Sequence, residues 1–422
     1  MQEALSQPSP RLGIPFSEFF RSLIEALGRT GLRFCILRNY EGFPARNTGR
    51  DIDFLIDPSD LPHAIHALRS LAGVRIVGYL QRPSVAMLYL EGICTAAGGR
   101  CLEVDFDLSL DWKGLPFLPL NAVLDEAVPR HAGGVGFRVP KPAHEAVNSL
   151  MASLLVGGWI QEKYFPRVQQ TFACDGVNVL AALAPQFGFN TAKRLVNAVV
   201  EGDRRKVLGS IPSLRIALAL RSFLRRPMRS SFSMVQHYWA ECMLRFSTQS
   251  LEEVGIAGAD REARSNIIAS LLPMLRHSAA VVEKHNGMEG SNLRRKSSPP
   301  DSDMYFAGTD QMGAIASTTS VAILLVRTWR AHFRERRNLT LRICGGDYQD
   351  MLMNPHAYRF GGPLWIARLI GQLMPSSGFR ISLDMPAQAM DAVNVYAAII
   401  DGLAERAGEV LRTRFQQRKP SN

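Results

Sequence analysis

Two aspartates one residue apart, Asp51 and Asp53 in Gly49-Arg50-Asp51-Ile52-Asp53-Phe54-Leu55-Ile56, are the residues of this 422-residue chain best suited to chemistry. Apolar residues alternate with them, the period-two pattern of a half-buried strand, so both carboxylates fall on one face. Side by side they repel each other unless a cation lies between them, and a hard divalent ion such as Mg²⁺ prefers oxygen ligands of this kind. A metal and phosphate site is the leading reading.

Such a site needs a third carboxylate from a neighbouring strand, because a shared ligand bridges the ions in two-metal phosphoryl or nucleotidyl transfer. Leu102-Glu103-Val104-Asp105-Phe106-Asp107-Leu108 repeats the alternation, with Asp105 the first choice and Asp107 the next. The bland counterpart is a pair of edge strands whose charges discourage aggregation. Ahead of the aspartates, Phe34 to Leu37 reads as a strand, and Asn47-Thr48-Gly49 as the turn that returns the chain.

Leu37-Arg38-Asn39-Tyr40-Glu41-Gly42-Phe43-Pro44, Gly49 to Asp53, and Val104-Asp105 followed by Trp112-Lys113-Gly114-Leu115-Pro116-Phe117 together resemble the nucleotidyltransferase-like domain of bacterial proteins that also carry a thymidylate-kinase-like domain. The resemblance implies a polymerase-β-type palm in which Asp51, Asp53 and Asp105 hold Mg²⁺ and a nucleotide triphosphate, ATP or another. Arg38-Asn39 occupies the place where the wider superfamily has a Gly-Ser or Gly-Gly pair to receive the triphosphate.

The length suggests two or three domains, and 46% apolar residues are ample for real cores. The net charge of +11 argues for anionic partners: nucleotide, nucleic acid, acidic polysaccharide or an anionic surface met peripherally. Six scattered cysteines without Cys-x-x-Cys spacing read as reduced thiols rather than a zinc site. Met1 to Pro10 lacks a signal-peptide pattern and no uninterrupted run of about 18 apolar residues occurs, so the expectation is a soluble cytoplasmic protein. Helices are predicted over Pro15 to Gly28 and Leu61 to Leu71, strands at Arg75 to Val77 and Val85 to Leu90, and a hairpin turn at Gly133-Gly134.

From about Pro142 apolar residues recur at helical spacing, broken at Gly157-Gly158, Gly188 and Pro212, and His144-Glu145 falls in a first helical turn rather than forming a metal pair. Arg204-Arg205-Lys206, Arg221, Arg225-Arg226 and Arg229 make this stretch basic: a solvated face, or a contact for a phosphate polymer or anionic lipid. Further on, the stretch from Leu251 to Asn266 reads as a strand and a turn opening with Gly258, followed by a helix over Ile267 to Leu275 that the phosphate-loop layout would begin at Ser265. This is the layout of a phosphate loop, with Gly258, Arg264 and Ser265 as nucleotide-binding candidates, although Ala263 and Arg264 stand where that loop has glycine and lysine. Phe306 to Gly313, ahead of a helix predicted over Val321 to Arg336, is the weaker candidate loop.

Cys344-Gly345-Gly346-Asp347-Tyr348 through Trp365, then Leu373-Met374-Pro375 and Ile381-Ser382-Leu383-Asp384-Met385-Pro386, is similar to the thymidylate-kinase-like domain of the same family. The family's Asp-Arg pair before Tyr348 is replaced by Gly345-Gly346, and no lid arginine lies between Met385 and Val395, which implies a degenerate P-loop domain without phosphoryl transfer. The expected fold is α/β: a nucleotidyltransferase palm over 1–141, a helical connector over 142–249 and a P-loop kinase-like parallel sheet over 250–422. The expected function is Mg²⁺-dependent nucleotidyl transfer, and the family's setting implies surface-polysaccharide biosynthesis with a glycan or glycolipid acceptor. A nucleotide- or partner-binding pseudoenzyme is the alternative, and an active kinase using Arg264 a further one.

Overall fold

The fold was taken from a computed structural model, which describes residues 13–47, 51–94, 100–246, 251–257, 261–285, 313–335, 339–345, 352, 360–373, 379–382 and 392–416. It is mixed α/β and divides into two compact units, one formed mainly by residues 12–243 and the other mainly by 244–414.

The first unit opens with α1 (Phe16–Arg29), which buries Phe16, Phe19, Phe20, Leu23, Ile24 and Leu27 along one side. This is the apolar stripe that its helical spacing predicts. Then come β1 (Phe34–Ile36), β2 (Asp51–Ile56), α2 (Leu61–Arg69), β3 (Arg75–Gln81), β4 (Val85–Glu91) and β5 (Cys101–Asp107). They form a five-stranded sheet in the order β1-β2-β5-β4-β3. Strand β2 runs antiparallel to β1 and parallel to β5, and β3 and β4 pair antiparallel. Parallel neighbours need a crossover, and here α2 with the β3–β4 hairpin supplies it. The predicted strands near Arg75 and Val85 are therefore present and longer than expected. Thr48, Gly49 and Arg50 lie outside the described residues.

Short hairpins follow, β6 (Leu110–Trp112) with β7 (Leu115–Leu118) and β8 (Val128–Ala132) with β9 (Val135–Val139). The second turns through Gly133 and Gly134 at φ +54° and +78°, the conformation a two-residue hairpin turn requires. The helices are α3 (Pro142–Met151), α4 (Phe165–Cys174), α5 (Gly176–Phe187), α6 (Phe189–Val200), α7 (Arg204–Gly209), α8 (Ile211–Arg225) and α9 (Pro227–Phe246). His144 and Glu145 sit in the first turn of α3, as expected. Pro212 lies in the first turn of α8, where a missing N–H costs nothing, just after the boundary with α7 at Ser210. These helices share one core with the sheet: Cys35, Leu37 and Leu55 pack in the same cluster as Val147, Leu150, Leu195, Val207, Leu214 and Leu218.

The second unit holds β10 (Leu251–Ala257), α10 (Arg261–Met274), β11 (Val281–His285), α11 (Ala314–Glu335), β12 (Thr340–Gly345), α12 (Leu364–Leu373), β13 (Phe379–Ser382) and α13 (Ala392–Gln416). Its sheet is parallel throughout, in the order β11-β12-β10-β13. Val254, Ile256, Leu341 and Ile343 are buried on its central strands, the apolar run that a two-sided parallel strand carries. Helix α10 begins at Arg261, four residues ahead of the expected Ser265. The segment Arg261-Glu262-Ala263-Arg264 is made of good helix formers, and that propensity prevails over the loop template. Helix α11 likewise begins at Ala314, seven residues before Val321.

Among the described residues one helical stretch, Arg204–Arg225, reaches the length and apolar composition of a membrane span. It does so without an uninterrupted apolar run. Val207, Leu214 and Leu218 of this stretch are wholly buried in the first unit's core.

Candidate metal centre

Strand register builds the site. Across the parallel pair of β2 and β5, Asp51 stands opposite Glu103, Asp53 opposite Asp105 and Leu55 opposite Asp107. Alternation puts all six side chains on one face, while Phe54 and Phe106 meet on the other at 5.5 Å between ring centroids. Along the acidic face the environment changes with each step. Asp51 is half-buried, Asp53 is 2% exposed, and Leu55 belongs to the helical core.

Asp51, Asp53 and Asp105 each offer a carboxylate oxygen, and these oxygens lie within 4.8 Å of one another. That spacing can hold a metal ion. Glu103, the fourth acid, accepts a hydrogen bond from the Tyr89 hydroxyl at 2.7 Å and is 6% exposed. Asp105 differs in a telling way: its Oδ1 is buried and has no hydrogen-bond partner in the structure. A buried carboxylate oxygen left unsatisfied costs roughly 1–3 kcal/mol or more, and a cation at the cluster would satisfy it. The donor set of three hard oxygens fits Mg²⁺, Ca²⁺ or Mn²⁺ rather than a soft metal.

The electrostatics show what the cluster costs without a cation. Burial, reinforced by the charge of Asp53, pushes the Asp51 carboxyl up to about 6. Burial and the acids Glu103, Asp53, Asp107 and Asp51 hold Asp105 well above the usual carboxylate range. Asp107, beside the core at Leu55, is pushed up to about 8 by burial and then by Asp53. Like charges gathered in a half-buried site favour bound protons until another cation arrives.

One cation is already present. Arg38 donates from Nε to Asp53 Oδ2 at 2.7 Å and from Nη2 to Asp53 Oδ1 at 2.8 Å, a bidentate pair with the guanidinium 29% exposed. Burial works against the Arg38 charge, and the pair with Asp53 outweighs it, raising the Arg38 pKa above its ordinary value. Each Asp53 oxygen has a second lone pair, so the pair leaves Asp53 able to ligate a metal as well.

Asn39, predicted with Arg38 as a nucleotide contact, occupies the left-handed region at φ +60°. Its Oδ1 accepts from the Tyr164 hydroxyl at 2.8 Å and from Lys163 Nζ at 3.3 Å. The next residue is tied down too. The Tyr40 hydroxyl donates to Glu145 Oε2 at 2.5 Å, and Arg167 Nη2 donates to the same oxygen at 3.0 Å. Burial pushes Glu145 up to about 7, against the hydrogen bond from Tyr40 and the nearby Arg130. Arg130 and Arg167 stack over the Tyr40 ring at 5.0 and 5.7 Å. Glu145, Tyr164 and Arg167 also line a small, partly open pocket between α3 and α4. None of these partners is legible in the sequence, because Glu145 and Arg167 lie over a hundred residues from Tyr40. The only local signal was a glutamate in the first turn of an apolar helix.

Of the second set of candidates, Gly258 lies outside the described residues, while Arg264 and Ser265 lie within the first two turns of α10. Gly345 ends β12, and Gly346 lies outside the described residues. The weaker loop, 306–312, is outside them as well, with Gly313 immediately ahead of α11. The chain matches no protein-family model, no curated protein and no solved structure.

Proposed function

We propose that the first unit is a Mg²⁺-dependent nucleotidyltransferase-like domain with a polymerase-β-type palm, and that Asp51, Asp53 and Asp105 are its metal ligands. The observation that carries this reading is the unpartnered, buried Oδ1 of Asp105, on one of three carboxylates that each bring an oxygen within 4.8 Å of the others. Three acids that repel one another in a half-buried position destabilise the fold, and a site of that kind is kept where a ligand compensates it. The chemistry a bound Mg²⁺ supplies is charge neutralisation and orientation of a nucleotide triphosphate for in-line attack by an acceptor hydroxyl or phosphate. Asp53 holds Arg38 at the rim, where the guanidinium can meet a phosphate oxygen in the bidentate geometry that arginine favours. The acceptor class proposed is a glycan or glycolipid of the bacterial surface, and the compartment is the cytoplasm.

For the second unit we propose a degenerate P-loop kinase-like domain that binds nucleotide or supports the fold without transferring phosphate. Its strand β10 lies inside a parallel sheet with β12 on one side and β13 on the other, and crevices at such switch points are where parallel α/β sheets take ligands. Arg264 and Ser265, in the early turns of α10, are the residues proposed to take part in nucleotide binding.

A second reading has its own support. The Arg38–Asp53 pair supplies one positive charge to the cluster without any metal, as a binding protein that has given up chemistry would. Calorimetric titration of the whole protein with nucleotide triphosphates, with and without Mg²⁺, separates the two. The enzyme reading expects Mg²⁺-dependent binding that is lost in folded Asp51→Asn and Asp53→Asn proteins, together with turnover. Binding that ignores Mg²⁺ and both substitutions supports the pseudoenzyme and overturns the metal site. Turnover of ATP that disappears in Arg264→Ala would instead identify a working kinase.

A further inference from the structure

We infer that α9, with the outer face of α8, is a docking surface for an anionic membrane, on which the protein lies peripherally. Helix α9 is amphipathic in the unusual sense that its apolar stripe points outward. Met228, Phe232, Val235, Trp239 and Met243 recur at helical spacing, within an arc of about 80° at 100° per residue. They are 83%, 69%, 66%, 67% and 49% exposed.

The opposite side of the same helix is already committed. Ser230 is buried and donates to the Ser222 carbonyl oxygen. Gly114 backs onto the Ser233 carbonyl so closely that an added Cβ would lie 2.5 Å from that oxygen. Glu241 forms an ion pair with Arg82 at 4.0 Å. These inner residues fall roughly half a turn from the stripe, so the outward orientation is fixed by packing. Helix α8 repeats the arrangement: Leu214 and Leu218 are wholly buried, while Ile216, Leu220 and Leu224 are 66%, 58% and 74% exposed.

A stripe of this size, running about 22 Å along α9, exceeds the scattered surface apolars of ordinary soluble domains. What covers it is indicated by charge. No Asp or Glu occurs between residues 204 and 240, and the chain passes from one helix to the other through Arg225 and Arg226, with Arg229 in the first turn of α9, all three exposed. Two copies packed through this face would bring like charges together, whereas an anionic lipid surface is attracted to them. An apolar face carrying Trp and Phe, bordered by arginines, is the composition of a helix that lies in the interface of a bilayer. Burial of Leu214 and Leu218 in the core also means that α8 lies on the surface rather than crossing it, although the stretch around it is long enough to span.

Flotation of the full-length protein with phosphatidylcholine–phosphatidylglycerol vesicles, and with pure phosphatidylcholine vesicles, tests this. The expected result is binding to the anionic vesicles only, reduced by high salt, and weakened at least about tenfold by Phe232→Glu or by Arg225→Gln with Arg226→Gln. These side chains are exposed, so the variants should keep the parent melting temperature. A second measurement is quenching of tryptophan fluorescence by bromine-labelled lipid, which Trp239→Phe should remove while vesicle binding persists. Absence of binding, equal binding of Phe232→Glu, or quenching unchanged in Trp239→Phe overturns the proposal. So does self-association that Phe232→Glu abolishes without any vesicle binding, which would assign the face to a second copy.

Discussion

Replacing Asp105 by asparagine should stabilise the metal-free protein and weaken its response to metal, a pair of effects that no purely structural role would produce. In the folded protein, burial and four neighbouring acids keep the Asp105 carboxyl protonated well above its ordinary range. Between the ordinary and the raised value folding therefore takes up a proton, and stability falls as pH rises through that interval. Taking the charge off a buried oxygen that has no hydrogen-bond partner is worth about 1–2 kcal/mol. Asparagine keeps the shape and has nothing to titrate. For a unit of this size the gain corresponds to a rise of about 2–8 °C in Tm. The assay is thermal unfolding followed by circular dichroism, in chelator and then in excess Mg²⁺. With Mg²⁺ at a hundred times its Kd, the parent gains about 2.7 kcal/mol and overtakes the variant, which has lost a ligand. The reasoning fails if Asp105→Asn lowers the Tm in chelator, or if Mg²⁺ stabilises both proteins equally.

Metal binding should strengthen as pH rises from about 6 to about 8, because a cation must displace the proton held by Asp51 and its charge opposes the one held by nearby Asp107, and calorimetry in buffers of different ionisation enthalpy should detect proton release on binding. The same raised values mean that the metal-free fold is favoured at acid pH and loses stability as pH climbs through about 8, so a chelated sample that is equally stable from pH 5 to pH 9 would contradict the electrostatics. Arg38→Gln removes the partner of a carboxylate that is 2% exposed and should cost about 3 kcal/mol in chelator by denaturant unfolding, with much of the loss recovered in Mg²⁺. A double-mutant cycle of Tyr40→Phe and Glu145→Gln should give a coupling energy of about 1–3 kcal/mol, and additive effects would dismiss the network that anchors the loop after Arg38. Leu195→Ala, at a side chain 1% exposed in the shared core, should cost about 3 kcal/mol and lower the melting of sheet and helices together; two separate transitions within residues 13–243 would refute a common core.

Alternation alone determined that Asp51 and Asp53 share a face, and that Glu103, Asp105 and Asp107 share another, because the two-residue repeat of a strand is a property of the backbone. The apolar spacing of Phe16 to Leu27 likewise determined a helix and its buried side before any partner was known. Which face meets which was not local information. Asp53 stands opposite Asp105 only because β5, some fifty residues later, returns parallel to β2 and in that register, and a slip of one residue would have turned every acid to the far side. The pairing of Arg38 with Asp53, the network joining Tyr40 to Glu145 and Arg167, and the single core uniting the sheet with α3 to α8 are decisions of the same kind, taken by packing between distant segments. At Arg261 the two levels disagreed. A phosphate-loop template read from glycine and serine spacing put the helix start at Ser265, while the helix-forming residues before it extended the helix toward the strand. The outward stripe of α9 shows the same division: its periodicity is written in the residues, but a periodic apolar face normally turns inward, and only the packing of Gly114 and Ser230 on the other side shows that this one faces out.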